Sequence, residues 1–192
     1  MDNRQKQLKY AAMFKKGGAV LEIGSGGGDF LKICADRGIM ATGVDRDPKC
    51  GPGYKVIKKD IPQYLRKERA SKYDGVYARH ILEHFDKKAL TALLMDIKKV
   101  LKPGGTLVAI LPNIKNIGVA TVEFWKDETH VRPYTAEEIK GVLRAAGLKF
   151  VESGTDRESW DNSPVKNVLR KIRSLISGVV NEPPDYYFTA EK

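Results

Sequence analysis

Apolar residues occur along this chain in two rhythms that take turns. Short continuous runs at 19–23, 40–44, 73–78 and 106–111 read as strands buried on both faces. Between them, apolar residues recur at helical spacing. Phe30, Leu31, Ile33 and Cys34 form one stripe, closed by Gly38, and Leu93, Leu94, Ile97, Val100 and Leu101 form another over 91–101, stopped by Lys102-Pro103-Gly104-Gly105. Residues 3–16 carry Leu8, Ala11, Ala12 and Phe14 and predict a leading helix that ends at Gly17-Gly18. A short strand is expected at 54–57, after a loop marked by Asp47-Pro48 and Gly51-Pro52-Gly53, and a charged helix at 61–69. Thr135 with Glu138 three residues on is a capping-box signature for a helix reaching Gly147. Strands at 148–153 and 186–190 complete the pattern. Strand and helix in alternation predict an α/β fold: a doubly wound, mostly parallel seven-stranded sheet with helices on both faces.

One stretch stands apart. Over 165–176, Val165, Val168, Leu169, Ile172, Leu175 and Ile176 fall at helical spacing with Lys166, Arg170, Lys171 and Arg173 between them. This basic amphipathic helix either packs on its own core or meets acidic lipid or a partner. With 192 residues there is room for a single domain, read as a leading helix (1–18), a core (19–160), the basic helix (161–180) and a final strand (185–192).

Composition narrows the class. With 42% hydrophobic and 30% charged residues and no apolar run near the roughly 20 residues of a membrane span, no span is expected. The polar segment 1–9 lacks secretory character, so a cytoplasmic location is expected. Cys34 and Cys50 have no paired spacing and read as reduced structural thiols. The net charge of +10 fits an anionic partner, whether nucleic acid, an acidic membrane surface or a phosphorylated small molecule, without choosing among them.

The strongest chemical signal is Val20-Leu21-Glu22-Ile23-Gly24-Ser25-Gly26-Gly27-Gly28. An apolar strand entering a glycine-rich turn lets backbone approach a ligand, and the following helix offers amides at its N-terminus. Dinucleotide enzymes want Gly-x-Gly-x-x-Gly, whereas Asp29 holds the last glycine position here. Glu22, inside the strand, suits a ligand bearing a cationic amino group better than a pyrophosphate.

The segment resembles the first motif of class I S-adenosylmethionine-dependent methyltransferases. Asp45, Asp60, the Tyr73-to-Phe85 segment with its Glu83-His84 pair, and Lys102-Pro103-Gly104-Gly105-Thr106-Leu107 agree with that family in order. The resemblance implies S-adenosylmethionine as cofactor, held by Glu22, Gly24, Ser25, Gly26 and Gly28, with Arg79 at the end of the fourth strand. It implies that Asp45 grips the ribose, with Arg46 near the adenine, and that Asp60 and Ile61 read the adenine edge. As isolated residues, Asp45 and Asp60 also fit ordinary turn chemistry.

All three histidines fall in connections after predicted strands, where open parallel sheets gather ligand sites. His80 is the family-like candidate to line the transfer pocket and to take a proton from an attacking hydroxyl or amine. His84 either joins the site or braces the loop beside Glu83. His130, in Asp127-Glu128-Thr129-His130-Val131-Arg132-Pro133-Tyr134-Thr135, resembles a substrate-side segment and is a candidate to touch the acceptor. No His-x3-His spacing is assured of one continuous helix, so no metal site is expected. The expected acceptor is a small molecule, a glycan or a lipid-linked intermediate. The alternatives are an RNA or protein methyltransferase, weakened by Arg79-His80-Ile81-Leu82 where an Asn-Pro-Pro-Tyr type tetrapeptide would stand, and a methyltransferase-like subunit that performs no transfer.

Overall fold

The computed structural model describes residues 3–155, 168 and 182–192. The helix expected over 165–176 lies outside the described residues apart from Val168. The described elements run α1 (Asn3–Ala11), β1 (Ala19–Ile23), α2 (Asp29–Asp36), β2 (Met40–Asp45), β3 (Val56–Lys58), α3 (Ile61–Lys67), β4 (Tyr73–Arg79), α4 (Lys87–Val100), β5 (Leu101–Pro112), α5 (Ala136–Ala146), β6 (Lys149–Thr155) and β7 (Asp185–Glu191). Short helical turns at Leu82–His84, Val119–Glu123 and Phe124–Lys126 lie in the connections after β4 and β5.

The seven strands form one sheet in the order β3-β2-β1-β4-β5-β7-β6. β1 to β5 pair in parallel, and β7 runs antiparallel between β5 and β6. The continuous apolar runs have their cause here: β1 and β5 lie inside the sheet with both faces covered. On one face, Tyr10 of α1, Phe14 in the turn after it, and Phe30 and Ile33 of α2 pack against Val20, Tyr77, Val108 and Ile110. Phe30 stacks on Tyr77 with ring centroids 3.7 Å apart. On the other face, Tyr64 and Leu65 of α3, Leu90 to Val100 of α4 and Ile139 to Ala146 of α5 cover Leu21, Ile23, Val76, Leu107 and Ala109. Helices on both faces force the chain to cross over, and the crossover direction changes between β1 and β4. The crevice beyond the carboxyl ends of those two strands is therefore the place for a ligand.

Several boundaries differ from the sequence expectation. α1 ends at Ala11 rather than at 16, and the chain reaches Gly17-Gly18 through turns in which the Met13 amide donates to the Tyr10 carbonyl and the Phe14 amide to the Ala11 carbonyl. α4 begins at Lys87 rather than at 91, because the Asp86 carboxylate accepts from the Ala89 amide at 2.7 Å and caps the helix there. The Lys102-Pro103-Gly104-Gly105 segment does not separate helix from strand. Leu101 already pairs with Tyr73, and the next pair, Gly75 with Thr106, is offset, so the segment is a bulge within β5. The capping box of α5 is present as expected, with Gly147 at its C-terminus in the left-handed region, φ +74°. No helix among the described residues is long and apolar enough to cross a membrane.

Candidate functional site

The glycine-rich turn leaves β1 at the centre of the sheet and delivers the chain into α2. Its shape is imposed from below. The Gly24 amide donates to the Val44 carbonyl at 2.8 Å, and a Cβ at Gly24, where φ is +77°, would lie 2.0 Å from Ile81 Cδ1. Only glycine turns the chain at that point.

Asp45 does more than the sequence implied. One carboxylate oxygen accepts from the Gly26 amide and the other from the Asp47 amide, each at 2.8 Å. The carboxylate thus ties the glycine turn to the end of β2 while still lining the cleft, since each oxygen keeps a second lone pair. Asp60 likewise holds two positions: its side chain accepts from the Gln63 amide and caps α3, and the residue also lies on the cleft wall with Ile61.

Two hollows meet at Gly24. The larger, about 380 Å³, is lined by Asp45, Arg46, Asp60, Ile61, His84 and Thr129, among others. The smaller, about 160 Å³, is lined by Glu22, Ser25, Gly26, Asp29, Arg79 and His80, among others. Every residue expected from the sequence to touch the cofactor except Gly28 lines one of the two. Gly28 supports the turn instead: a Cβ there, at φ +80°, would meet Cys50 Cβ at 2.8 Å.

The smaller hollow carries unsatisfied chemistry. Glu22 is buried, and no hydrogen-bond partner among the described residues reaches its Oε2 or the Oγ of Ser25. Burial pushes the Glu22 carboxyl well above its usual range, Asp29 and Asp45 add to this, and Arg79 acts the other way. A buried acid among acids, with a bare oxygen, is a receptor for a cation. An amino-acid head placed against Glu22 and the turn would fit this donor set.

His80 follows β4 with φ +52°, a backbone conformation rare outside glycine. Its Nδ1 lies 3.2 Å from Glu83 Oε1 and its Nε2 lies 3.6 Å from Asp185 Oδ1, at the start of β7. Burial alone would lower its pKa, but hydrogen bonds to Asp185 and Glu83 outweigh that and raise it to about 9. An imidazole facing carboxylates through both nitrogens is favoured in its charged form. Asp185 is a site residue the sequence reading missed, because nothing local to β7 marks it.

His84 and His130 come together across the connections. Their ring centroids are 4.8 Å apart, and the Val131 and Arg132 amides both donate to the Glu83 carbonyl, which joins the segment before α5 to the turn after β4. Glu83, fully buried, lies against them. Cys34 is buried and its thiol is pushed up to about 12 by burial and by Glu22, while Cys50 is half-buried, and both thiols are free.

Comparison with known proteins gives a consistent answer. A family model described as a methyltransferase domain matches residues 2–153. Uncharacterized protein YafE of Escherichia coli (strain K12) is 27% identical over 112 residues, 56% of this chain and 53% of that protein, so the chain spans about half the length of this curated relative. Among solved structures, a SAM dependent methyltransferase from Archaeoglobus fulgidus is 27% identical and superposes with a TM-score of 0.78, over 98% of this chain and 92% of that one. A 1,6-didemethyltoxoflavin-N1-methyltransferase from Burkholderia thailandensis, with bound 1,6-didemethyltoxoflavin and S-adenosylhomocysteine, superposes with a TM-score of 0.67 at 18% identity, over 98% of this chain and 77% of that one. At that identity the likeness concerns the fold alone.

Proposed function

The chain belongs to the methyltransferase domain family, and on that premise we propose that it transfers a methyl group from S-adenosylmethionine to a small-molecule, glycan or lipid-linked acceptor. The observation that carries this reading is the bare, buried Glu22 Oε2 beside the glycine turn, opening on a hollow shared through Gly24 with the Asp45 cleft. Glu22 receives the ammonium of the amino-acid head, and Arg79 with the N-terminus of α2 receives its carboxylate. Asp45 accepts from the ribose diol, and Asp60 and Ile61 border the adenine.

The bound sulfonium supplies an already activated methyl carbon, so the protein's task is alignment and exclusion of water. His80, held between Glu83 and Asp185, positions the floor of the hollow and is not the group that removes the acceptor's proton. The acceptor approaches from the side of His84, Thr129 and His130.

Isothermal calorimetry with S-adenosylmethionine tests the cofactor half of the proposal: one site at submillimolar affinity is expected, and absence of heat and of competition by S-adenosylhomocysteine would end it. Incubation with labelled cofactor and fractionated cell extract tests the acceptor half. Label recovered only in RNA or protein would replace the small-molecule assignment, and label recovered in no fraction would leave a cofactor-binding subunit without transfer.

A further inference from the structure

The geometry points to a binding site for a first-row divalent transition metal, zinc-like in its preference, formed by Glu83, His84 and His130 beside the acceptor side of the cleft. One ligand atom from each of these residues lies within 4.8 Å of the other two. A tetrahedral ion with bonds near 2.1 Å requires about 3.4 Å between ligands. An ion would draw the ligand atoms together by up to about 1.4 Å.

Three independent features favour an ion over simple packing. The first is the tautomer of the histidines. His84 Nδ1 faces the Thr129 carbonyl at 3.1 Å and the Thr129 hydroxyl oxygen at 3.0 Å, whose own hydrogen goes to Asp127 Oδ1, and His130 Nδ1 faces the Phe124 carbonyl at 2.6 Å. These oxygens can only accept, so each Nδ1 carries a hydrogen and Nε2 is the ring atom left to meet an ion; that of His130 lies 3.9 Å from Glu83 Oε1. A backbone carbonyl that orients a metal-binding imidazole acts in this way. The second is the carboxylate. Glu83 is fully buried; its Oε1 faces His80, and its Oε2 has no hydrogen-bond partner among the described residues. A buried bare carboxylate oxygen is costly unless something fills its place.

The third is rigidity. Glu83 and His84 sit on one short turn, and the Val131 and Arg132 amides lock His130's segment to the Glu83 carbonyl at 2.9 and 3.2 Å. The Tyr134 hydroxyl donates to the Phe85 carbonyl at 2.8 Å and braces the same junction. The ligands are therefore prearranged by backbone contacts, without relying on surface side chains. Asp127 Oδ2, 3.8 Å from His130 Nε2 and half-exposed, stands at the edge of the cluster.

Two imidazoles and one carboxylate suit zinc, iron, cobalt or nickel rather than calcium or magnesium. Three protein ligands leave a coordination position for water or for an oxygen of the acceptor. His84 and Thr129 also line the larger hollow, so the ion would border the space assigned above to the acceptor. Metal binding itself does not depend on that assignment and is measured without S-adenosylmethionine.

The test uses the untagged full chain, stripped with chelator and titrated separately with Zn2+ by equilibrium dialysis and with Co2+ by visible absorption. One equivalent is expected, with the ligand-field absorption of four- or five-coordinate cobalt. Glu83→Gln, His84→Ala and His130→Ala are each expected to lose at least about tenfold in affinity. Cys50→Ser is expected to bind like the parent. His84, on the cleft wall, and the isosteric change at Glu83 keep the test readable if His130→Ala fails to fold, and circular dichroism monitors this. Zn2+ is also expected to raise the melting temperature of the parent and not of His84→Ala. No saturable equivalent, equal affinity in the three ligand variants, or loss of binding in Cys50→Ser would overturn the proposal.

Discussion

At the scale of single residues, the decisive groups are those whose surroundings set their charge. Burial, with Asp29 and Asp45, raises the pKa of Glu22 well above the usual carboxylate range, against the pull of Arg79. A ligand ammonium favours its ionised form, so binding should release a proton. The affinity for S-adenosylmethionine is then expected to rise with pH until Glu22 is ionised before binding, or until the ligand's own ammonium loses its proton. Calorimetry in two buffers of different ionisation enthalpy reads this directly, and heats independent of buffer would contradict it. Glu22→Gln should abolish the proton release and weaken binding by about 1.5–3 kcal/mol, the range for a hydrogen bond to a charged group. His80 offers a contrasting case. As a positioning residue between Glu83 and Asp185, its replacement by Ala should weaken cofactor binding and slow turnover together. A loss confined to kcat, with cofactor affinity unchanged, would restore the imidazole to the role of general base.

At the scale of elements, α3 is fastened to β4 by one carboxylate. Glu68 accepts from the hydroxyls of Tyr64 and Tyr73 and from the Lys72 ammonium, 2.6 Å away. Burial raises its pKa, but these hydrogen bonds and one from the Arg69 amide prevail and hold it at about 2. A depressed carboxylate stabilises the fold fully above its unfolded pKa near 4.5, and that contribution is lost as pH falls towards 2. Glu68→Gln should therefore cost roughly 1–3 kcal/mol at neutral pH and little near pH 2, as measured by urea midpoints across that window. A constant difference at all pH values would refute the assignment.

The elements also show what the sequence could reveal. β1, α2, β4 and α5 were legible because each carries its own pattern: a continuous apolar run, a four-residue inward stripe, or a capping box. The start of α4 was missed because Asp86 precedes three residues without inward periodicity, and the bulge in β5 because proline and two glycines mimic a stop. The residues that line the two hollows were legible through one compact motif and two strand ends. The grouping of Glu83 and His84 with His130 was not, because a separation of 46 positions closes only through the Glu83 carbonyl and the Val131 and Arg132 amides. Asp185 was invisible for the same reason.

For the molecule as a whole, two apolar clusters cover the two faces of the sheet, and the charge balance is strongly positive. A net charge of +10 predicts non-specific association with RNA at low salt. That affinity should collapse between about 50 and 200 mM salt and should not compete with S-adenosylmethionine. Filter binding at several ionic strengths checks it, and a salt-resistant, cofactor-sensitive complex would argue for RNA as acceptor.

The twin hydrogen bonds of Asp45 to the Gly26 and Asp47 amides bear on how any variant at this position is interpreted. Exchanging the side chain would slacken the bend and, under the function proposed above, take away a grip on the sugar in the same stroke. A drop in nucleoside affinity would thus report two losses fused together. Separating them calls for the free protein alone, where amide hydrogen exchange at Gly26 and Asp47 registers the architectural share before any ligand is added.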